Sequence, residues 1–254
     1  MVTKLLESVD ASIEDGIYAS FGKVAISSNQ MVKRKAWYSV GKLWQRMVKR
    51  LLDISGSVFL MAAAAPAMLL VGLLIKITSR GPVFFRQERV GYQGKIFRIW
   101  KFRTMKYSDS ETEHRQYIRY LLKEGEKAKG QLELLTRYIN FIDKSITPIG
   151  RLLRISSLDE LPQLINILMG HMSFVGPRPH PIYEVEEYKT WYRRRLNVKP
   201  GLTGWSKINL RCTPRNYEEA ILYDLWYVDH WNVGLDLKIL LRTIPYVFSM
   251  KDAH

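Results

Sequence analysis

A chain of 254 residues, 47% of them hydrophobic, is long enough for one large domain or two small ones and can bury a sizeable core. Its 39 Lys and Arg against 24 Asp and Glu give a formal charge of +15, which calls for an anionic partner: nucleic acid, an anionic membrane surface or a phosphorylated substrate. The single cysteine, Cys212, excludes an internal disulfide and any thiolate-built zinc or iron–sulfur site, and fits a reducing compartment.

Residues 1–41 show no strong period and read as a helical extension. Their first turns carry more acids than lysines and no long apolar core, so no cleavable signal peptide is expected. Trp37, Tyr38 and Trp44 among basic residues suit an interfacial helix leading toward a membrane. From Ile54 to Ile75 there are 22 residues without a charge, closed by Asp53 and Lys76. Spanning a bilayer needs about 20 such residues. Lys33, Arg34, Lys35, Lys42, Arg46, Lys49 and Arg50 precede this run, and Lys76, Arg80, Arg86, Arg89, Lys95, Arg98, Lys101 and Arg103 follow it. Cations near membrane ends prefer the cytoplasmic side, and a straight span would carry one of these clusters across. Pro66 removes a helical hydrogen bond near the middle of the run, which favours a helix-break-helix that enters and returns on one face. A kinked span is the alternative, since proline is tolerated in transmembrane helices.

Beyond the apolar run, Gly81-Pro82 marks a turn. Val83–Phe85 and Lys95–Lys101 read as short strands of a hairpin around the Arg89–Gly94 loop. Residues 110–140, rich in Glu, Lys, Gln and Leu, read as solvated helix. A helix over Asp159–Met169 would put Leu161, Leu164, Ile165 and Leu168 on one face, with Pro162 in its first turn. Leu235–Phe248 reads either as an in-plane membrane helix or as a plain amphipathic packing helix.

The adjacent acids Asp159-Glu160 sit among cations, with Arg151 and Arg154 before them and Pro177-Arg178-Pro179 beyond. One acid can act as a nucleophile, its neighbour can hold a divalent metal, and the arginines can bind phosphates, which points to phosphoryl chemistry. Ser157-Leu-Asp-Glu160 also fits a capping box that satisfies the first amides of a helix. The two readings can coexist, because a helix N-terminus keeps a carboxylate ionised.

Several blocks in order make the chain resemble the bacterial sugar transferases, the monotopic polyprenyl-phosphate phosphoglycosyl transferases, from about Val40 to Phe248. The blocks are Lys49-Arg-Leu-Leu-Asp53 ahead of the proline-broken apolar run, Gly81-Pro-Val-Phe-Phe-Arg-Gln-Glu-Arg89, Lys101-Phe-Arg-Thr-Met105, Ser157-Leu-Asp-Glu-Leu-Pro-Gln163, Met172-Ser-Phe-Val-Gly-Pro-Arg-Pro179 and Lys199-Pro-Gly-Leu-Thr-Gly-Trp205. The resemblance implies attack by Asp159 on the sugar-bearing phosphate of a nucleotide diphosphate sugar, usually a UDP-sugar, with UMP leaving. A polyprenyl phosphate then takes the phosphosugar. Glu160 would ligate Mg²⁺, and Arg154 and Arg178 would clamp phosphate. Lys101, Arg103, Gly201, Thr203, Gly204, Asn209, Arg211 and Asp224 are further substrate-binding candidates. Three positions depart from the family's pattern: Ala65 stands where some members have serine, His171 where an aspartate is frequent, and Tyr107–Ser145 is longer than in compact members.

The implied fold is α+β and mainly helical. It joins a re-entrant membrane hairpin broken at Pro66, amphipathic interfacial helices and a small β-hairpin in one catalytic domain. Residues 1–41 form the extension, 42–80 the interfacial and membrane helix, and 81–254 the catalytic part. The implied setting is the cytoplasmic face of a bacterial inner membrane, with polyprenyl phosphate and nucleotide sugar as partners and no nucleic acid; homo-oligomerisation stays open. The rival classes are a membrane-tethered basic protein that binds nucleic acid or acts as a scaffold, and a soluble glycosyltransferase. The first lacks any nucleic-acid-binding motif, and the second needs neither the apolar hairpin nor a nucleophilic aspartate.

Overall fold

The computed structural model of the protein describes residues 40–106, 131–210 and 217–248, with a few positions between 112 and 118. The expected extension over 1–41 and most of the segment 107–130 lie outside the described residues. The chain divides into two compact units, Met1–Arg46 and Met47–His254.

Helix α1, Val40–Thr78, forms from the uncharged run and its basic approaches, and Pro66 lies inside it. The expected break at Pro66 does not end the helix: one helical element continues on both sides. Proline costs one backbone hydrogen bond and crowds one turn, which a long helix absorbs as a local bend or loosening. Over its most apolar stretch the mean hydropathy is 2.5 and only 11% of residues are buried, so this helix is long and apolar enough to cross a membrane. Met47, Leu51, Leu52, Val58, Phe59, Leu69, Leu70, Leu73 and Ile77 are all exposed.

Both ends of this helix within Met47–His254 are fastened to the same body. Toward its start, Lys49 donates to the Val175 carbonyl at 2.9 Å and pairs with Asp236 at 2.5 Å. Arg50 donates to the carbonyls of Ile167 and Leu168 at 2.7 and 2.8 Å. Asp53, buried, accepts from Ser173 Oγ and the Phe174 amide, both at 2.9 Å. Toward its end, Val71 and Ile75 pack with Phe102 and Leu153. Between these two anchors, positions 62, 63 and 65–67 around Pro66 are exposed.

The chain then turns at Gly81, whose φ of +119° suits glycine, and where a Cβ would lie 2.1 Å from the Arg103 guanidinium. Strands β1 (Phe84–Val90) and β2 (Ile96–Phe102) pair antiparallel from Phe84↔Phe102 to Val90↔Ile96. The expected hairpin is present; its first strand is longer than the sequence suggests, and its second has the expected length shifted by one residue. Gln93 and Gly94 take positive φ in its tight connection. A short strand β4 (His180–Pro181) joins the other edge of β1.

Helix α2 (Gln131–Ser145) is followed by α3 (Pro148–Ile155), which is capped by Thr147 Oγ1 accepting from the Gly150 amide at 2.9 Å. After a 3₁₀ turn at Leu158–Glu160 comes α4 (Gln163–Leu168). Strand β3 (Ser173–Val175) pairs parallel with β5 (Gly201–Thr203) across a connection that holds α5 (Ile182–Glu186) and the 3₁₀ helix Thr190–Asn197. The chain closes with α6 (Trp205–Asn209), α7 (Tyr217–His230) and α8 (Val233–Phe248). In α8, Asp236 and Ile239 are buried while Leu237, Leu241 and Ile244 are exposed, so the helix packs one face and leaves an apolar face outward. The architecture is mixed α and β, mostly helical, with small sheets and one long apolar helix.

Candidate active site

The Asp159-Glu160 pair does not open an α-helix. Ser157 takes a left-handed conformation at φ +55° and makes no side-chain cap bond, and the two acids sit on the 3₁₀ turn Leu158–Glu160. Pro162 is the N-cap of α4, so the helix begins at Gln163. The capping-box reading therefore fails here: the Glu160 carboxylate faces cations across the fold rather than the Ser157 amide. The reason is tertiary, since two ammonium groups offer a stronger pairing than one backbone N–H.

Those cations come from separate elements. Lys101, on β2, donates to Glu160 Oε1 at 2.8 Å and lies 3.9 Å from Asp159 Oδ2. Lys207, on α6, donates to Glu160 Oε2 at 3.1 Å. Arg154, in the last turn of α3, donates from Nε to Thr104 Oγ1 at 3.0 Å and is close enough to Asp159 to favour its ionised form. Arg178 is exposed on the Pro177–Pro179 loop and acts electrostatically on Glu160. Burial alone would push Glu160 up, but Lys101, Lys207 and Arg178 outweigh it and hold its carboxyl well below the usual range. Burial dominates at Asp159, where the neighbouring Glu160 charge adds to it, and pushes its carboxyl above the usual range despite Lys101 and Arg154. The pair is thus split into one firmly ionised acid and one more basic acid.

The loop carrying Arg178 is held from beneath. Arg89 donates to the Pro179 carbonyl at 3.0 Å, and burial together with the nearby Arg178 lowers its guanidinium to about 10. Arg195 Nη2 donates to the Arg178 carbonyl at 3.0 Å and to Asp224 Oδ2 at 2.6 Å. Its Nη1 reaches Tyr188 Oη at 2.6 Å and His180 Nδ1 at 2.8 Å. Asp224 also accepts from Ser206 Oγ at 2.7 Å, next to Lys207. Burial and the Arg195 charge push His180 down to about 4, so its ring is neutral in this network. A single buried ion pair thereby ties the loop of Arg178 to the helix of Lys207.

Several expected substrate contacts have other partners. Arg103 is buried, and its guanidinium caps the end of α1, donating to the Arg80 carbonyl at 2.6 Å and to Ser79 at 2.7 and 2.9 Å. A Cβ at Gly201 would lie 2.1 Å from Gly176 N, and one at Gly204 would lie 2.4 Å from Gly176 O. Both glycines thus permit two backbones to cross and fix the base of the Arg178 loop. Thr203 is buried and bonded to Thr243 Oγ1 at 2.8 Å. Asn209 donates to the Trp205 carbonyl of its own helix at 2.9 Å, and Asp224 serves Arg195 and Ser206. Arg211 lies outside the described residues. Lys207, Arg89 and Arg195 are the residues that sequence reasoning missed. Lys207 stands in a short helix, Arg195 in a basic run and Arg89 in a matching block, and none carries a local sign of its role.

Among the described residues no three Asp, Glu, His or Cys side chains converge on a point. A divalent cation at this pair would therefore take its protein oxygens from Glu160 and Asp159 and the rest from phosphate and water, a donor set that suits Mg²⁺.

Residues 44–250 match the family described as bacterial sugar transferase. The chain belongs to that family. It is 36% identical over 216 residues to the UDP-glucose:undecaprenyl-phosphate glucose-1-phosphate transferase of Escherichia coli (strain K12), covering 82% of this chain and 42% of that protein. A protein of the same name from Caulobacter vibrioides is 37% identical over 213 residues, covering 81% of this chain and 72% of that one. The undecaprenyl-phosphate galactose phosphotransferase of Salmonella typhimurium is 34% identical over 230 residues, covering 90% of this chain and 46% of that protein. The chain thus spans less than half the length of the Escherichia coli and Salmonella relatives.

Proposed function

We propose that this chain transfers a phosphosugar from a UDP-hexose to polyprenyl phosphate with release of UMP, on the cytoplasmic face of a bacterial inner membrane. The observation that carries this reading is a buried Asp159 beside a half-buried Glu160, ringed by Lys101, Arg154, Arg178 and Lys207, in the same body that holds both ends of the Met47–Thr78 part of a long apolar helix. The activities by which the relatives are named, on UDP-glucose in one case and on galactose in another, agree with it in reaction and leave the hexose open.

In this reading an Asp159 carboxylate oxygen bonds to the sugar-bearing phosphorus, and the bond from that phosphorus to the bridging oxygen breaks. The bridging oxygen and its electron pair leave with UMP. A phosphate oxygen of the polyprenyl phosphate then bonds to the same phosphorus, Asp159 leaves as a carboxylate, and a polyprenyl diphosphate sugar results. The firmly ionised Glu160 suits metal ligation, and Mg²⁺ bound there would neutralise charge on the diphosphate. Arg154 and Arg178 supply planar donors for the phosphate oxygens as negative charge shifts in the transition state.

The re-entrant placement of α1 belongs to this proposal. A straight helix of 39 residues would be about 58 Å long at ~1.5 Å per residue, roughly twice a ~30 Å hydrocarbon core. Asp53 and Ile75 pack on the same domain, while the surface around Pro66 is exposed. A helix bent at Pro66 within one leaflet keeps both basic flanks on one side.

The test of the reaction uses purified full chain in detergent with UDP-hexoses, Mg²⁺ and polyprenyl phosphate. UMP release and labelled lipid are expected, both lost in Asp159→Asn. Release of UDP would point to ordinary glycosyl transfer, and no turnover across the sugar panel would favour a binding role. For the topology, Cys212→Ser protein with a cysteine at Lys35 or at Lys95 should be labelled from the cytoplasmic side in both cases. Labelling of one from outside only would require a span.

A further inference from the structure

The two oxygens of Glu160 are held differently. Lys101 sits on the hairpin strand β2, opposite Phe85 in the ladder, and its ammonium reaches both acids, at 2.8 Å and 3.9 Å. Among the described residues Lys207 bonds to Glu160 only, at 3.1 Å, and its side chain is 24% exposed. Its neighbour Ser206 is fixed to the buried Asp224 at 2.7 Å, so the backbone under Lys207 is set, while its own four-carbon stem has rotatable bonds through which the ammonium can be repositioned.

We propose that Lys207 is a placeholder cation that occupies Glu160 Oε2 until a divalent cation takes the same oxygen, and that it thereby sets the affinity of the site for that cation. The inference rests on the functional reading above and adds to it a residue that controls metal loading. An ammonium within hydrogen-bond distance of Oε2 and a metal ion ligated by that oxygen repel each other and compete for one set of lone pairs. Loading the metal therefore means breaking the Lys207 bond and moving its charge away. Lys101 bonds to Oε1 rather than Oε2, so it can keep that bond while Oε2 changes partner. The lysine in turn keeps the half-buried Glu160 compensated when no metal is present, a state in which an unpaired carboxylate would be costly.

The measurement is Mn²⁺ binding by electron paramagnetic resonance on the detergent-solubilised full chain without nucleotide. Lys207→Met, which keeps the stem and removes the ammonium, is expected to bind Mn²⁺ at least about fivefold more tightly than the parent, and Lys207→Gln likewise. Lys207→Arg, which restores a cation, is expected to bind no more tightly than the parent. Adding Glu160→Gln to Lys207→Met is expected to abolish the gain. A purely structural role for Lys207 would not produce tightening that is reversed by arginine. Equal, weaker or undetectable Mn²⁺ binding in both the Met and Gln variants overturns the proposal, as does tightening that survives Glu160→Gln. UMP release by the parent, assayed on the same preparation, separates the outcomes: release with unchanged Mn²⁺ affinity sinks the placeholder alone. No release from any UDP-hexose sinks the functional reading whatever the metal result.

Discussion

Two groups of buried charge share this domain and are built on different plans. Around Arg195 and Asp224, each donor and acceptor has more than one protein partner: the guanidinium serves Asp224, Tyr188, His180 and the Arg178 carbonyl, and the carboxylate serves Arg195 and Ser206. Around Asp159 and Glu160, ammonium groups come from separate elements, Lys101 reaching both acids and Lys207 reaching Glu160, and Arg178 stands exposed beside them. The first plan is saturated and so holds one geometry. The second leaves partners that can be exchanged for phosphate or metal, and exchange is what phosphoryl transfer needs. The saturated cluster is bonded to the Arg178 carbonyl and to Ser206 and so fixes the two segments that present Arg178 and Lys207.

Substitutions can break this contrast in order of size. Asp159→Asn removes the proposed nucleophile and is expected to reduce UMP release by on the order of 10³-fold or more, with melting temperature little changed. Arg195→Met leaves Asp224 as an uncompensated buried charge and is expected to cost about 3–5 kcal/mol of stability, read as a shift in denaturation midpoint. If the melting point held and only activity fell, the network would belong to the site rather than to its support. Glu160→Gln is expected to lower kcat/KM by about 10²-fold, chiefly through metal use; unaltered Mg²⁺ dependence would remove it as the ligand.

The acid limb of kcat/KM against pH sharpens the same contrast. In the proposed reaction Asp159 must be ionised to attack, and its carboxyl is raised by burial, so activity is expected to be lost as pH falls through a value above the usual aspartate range. Lys101 counters that rise, and Lys101→Met should move the limb to higher pH. A limb that stayed in place would assign the titration to another group. The smallest effect is Thr203→Val, which removes the buried bond to Thr243 and should cost about 1 kcal/mol, with UMP release largely kept.

Much of this was legible in the sequence, and what was not has physical causes. The apolar helix, the hairpin and the Asp159-Glu160 pair with Arg154 and Arg178 could be read because each is a local pattern or an ordered block. The capping box was a sound local reading that lost to Lys101 and Lys207, which lie 59 and 47 residues from Glu160. Arg103 was expected on phosphate but closes the end of α1, because only the fold brings the Ser79 and Arg80 carbonyls to it. Gly201 and Gly204 suggested approach to a nucleotide, whereas the backbone that comes close is that of Gly176. Arg195 was hidden in Arg193-Arg194-Arg195, three identical side chains of which one points inward. Pairing across long separations is the common element in all that was missed.

The central claim is a covalent bond between Asp159 and phosphorus. Intact-protein and peptide mass spectrometry of the full chain, incubated with UDP-hexose and Mg²⁺ without lipid acceptor, tests it most directly. The expected result is one added phosphohexose on the peptide containing Asp159, discharged by polyprenyl phosphate and absent from Asp159→Asn. An unmodified protein that nonetheless releases UMP and forms lipid-linked sugar when acceptor is added would contradict it.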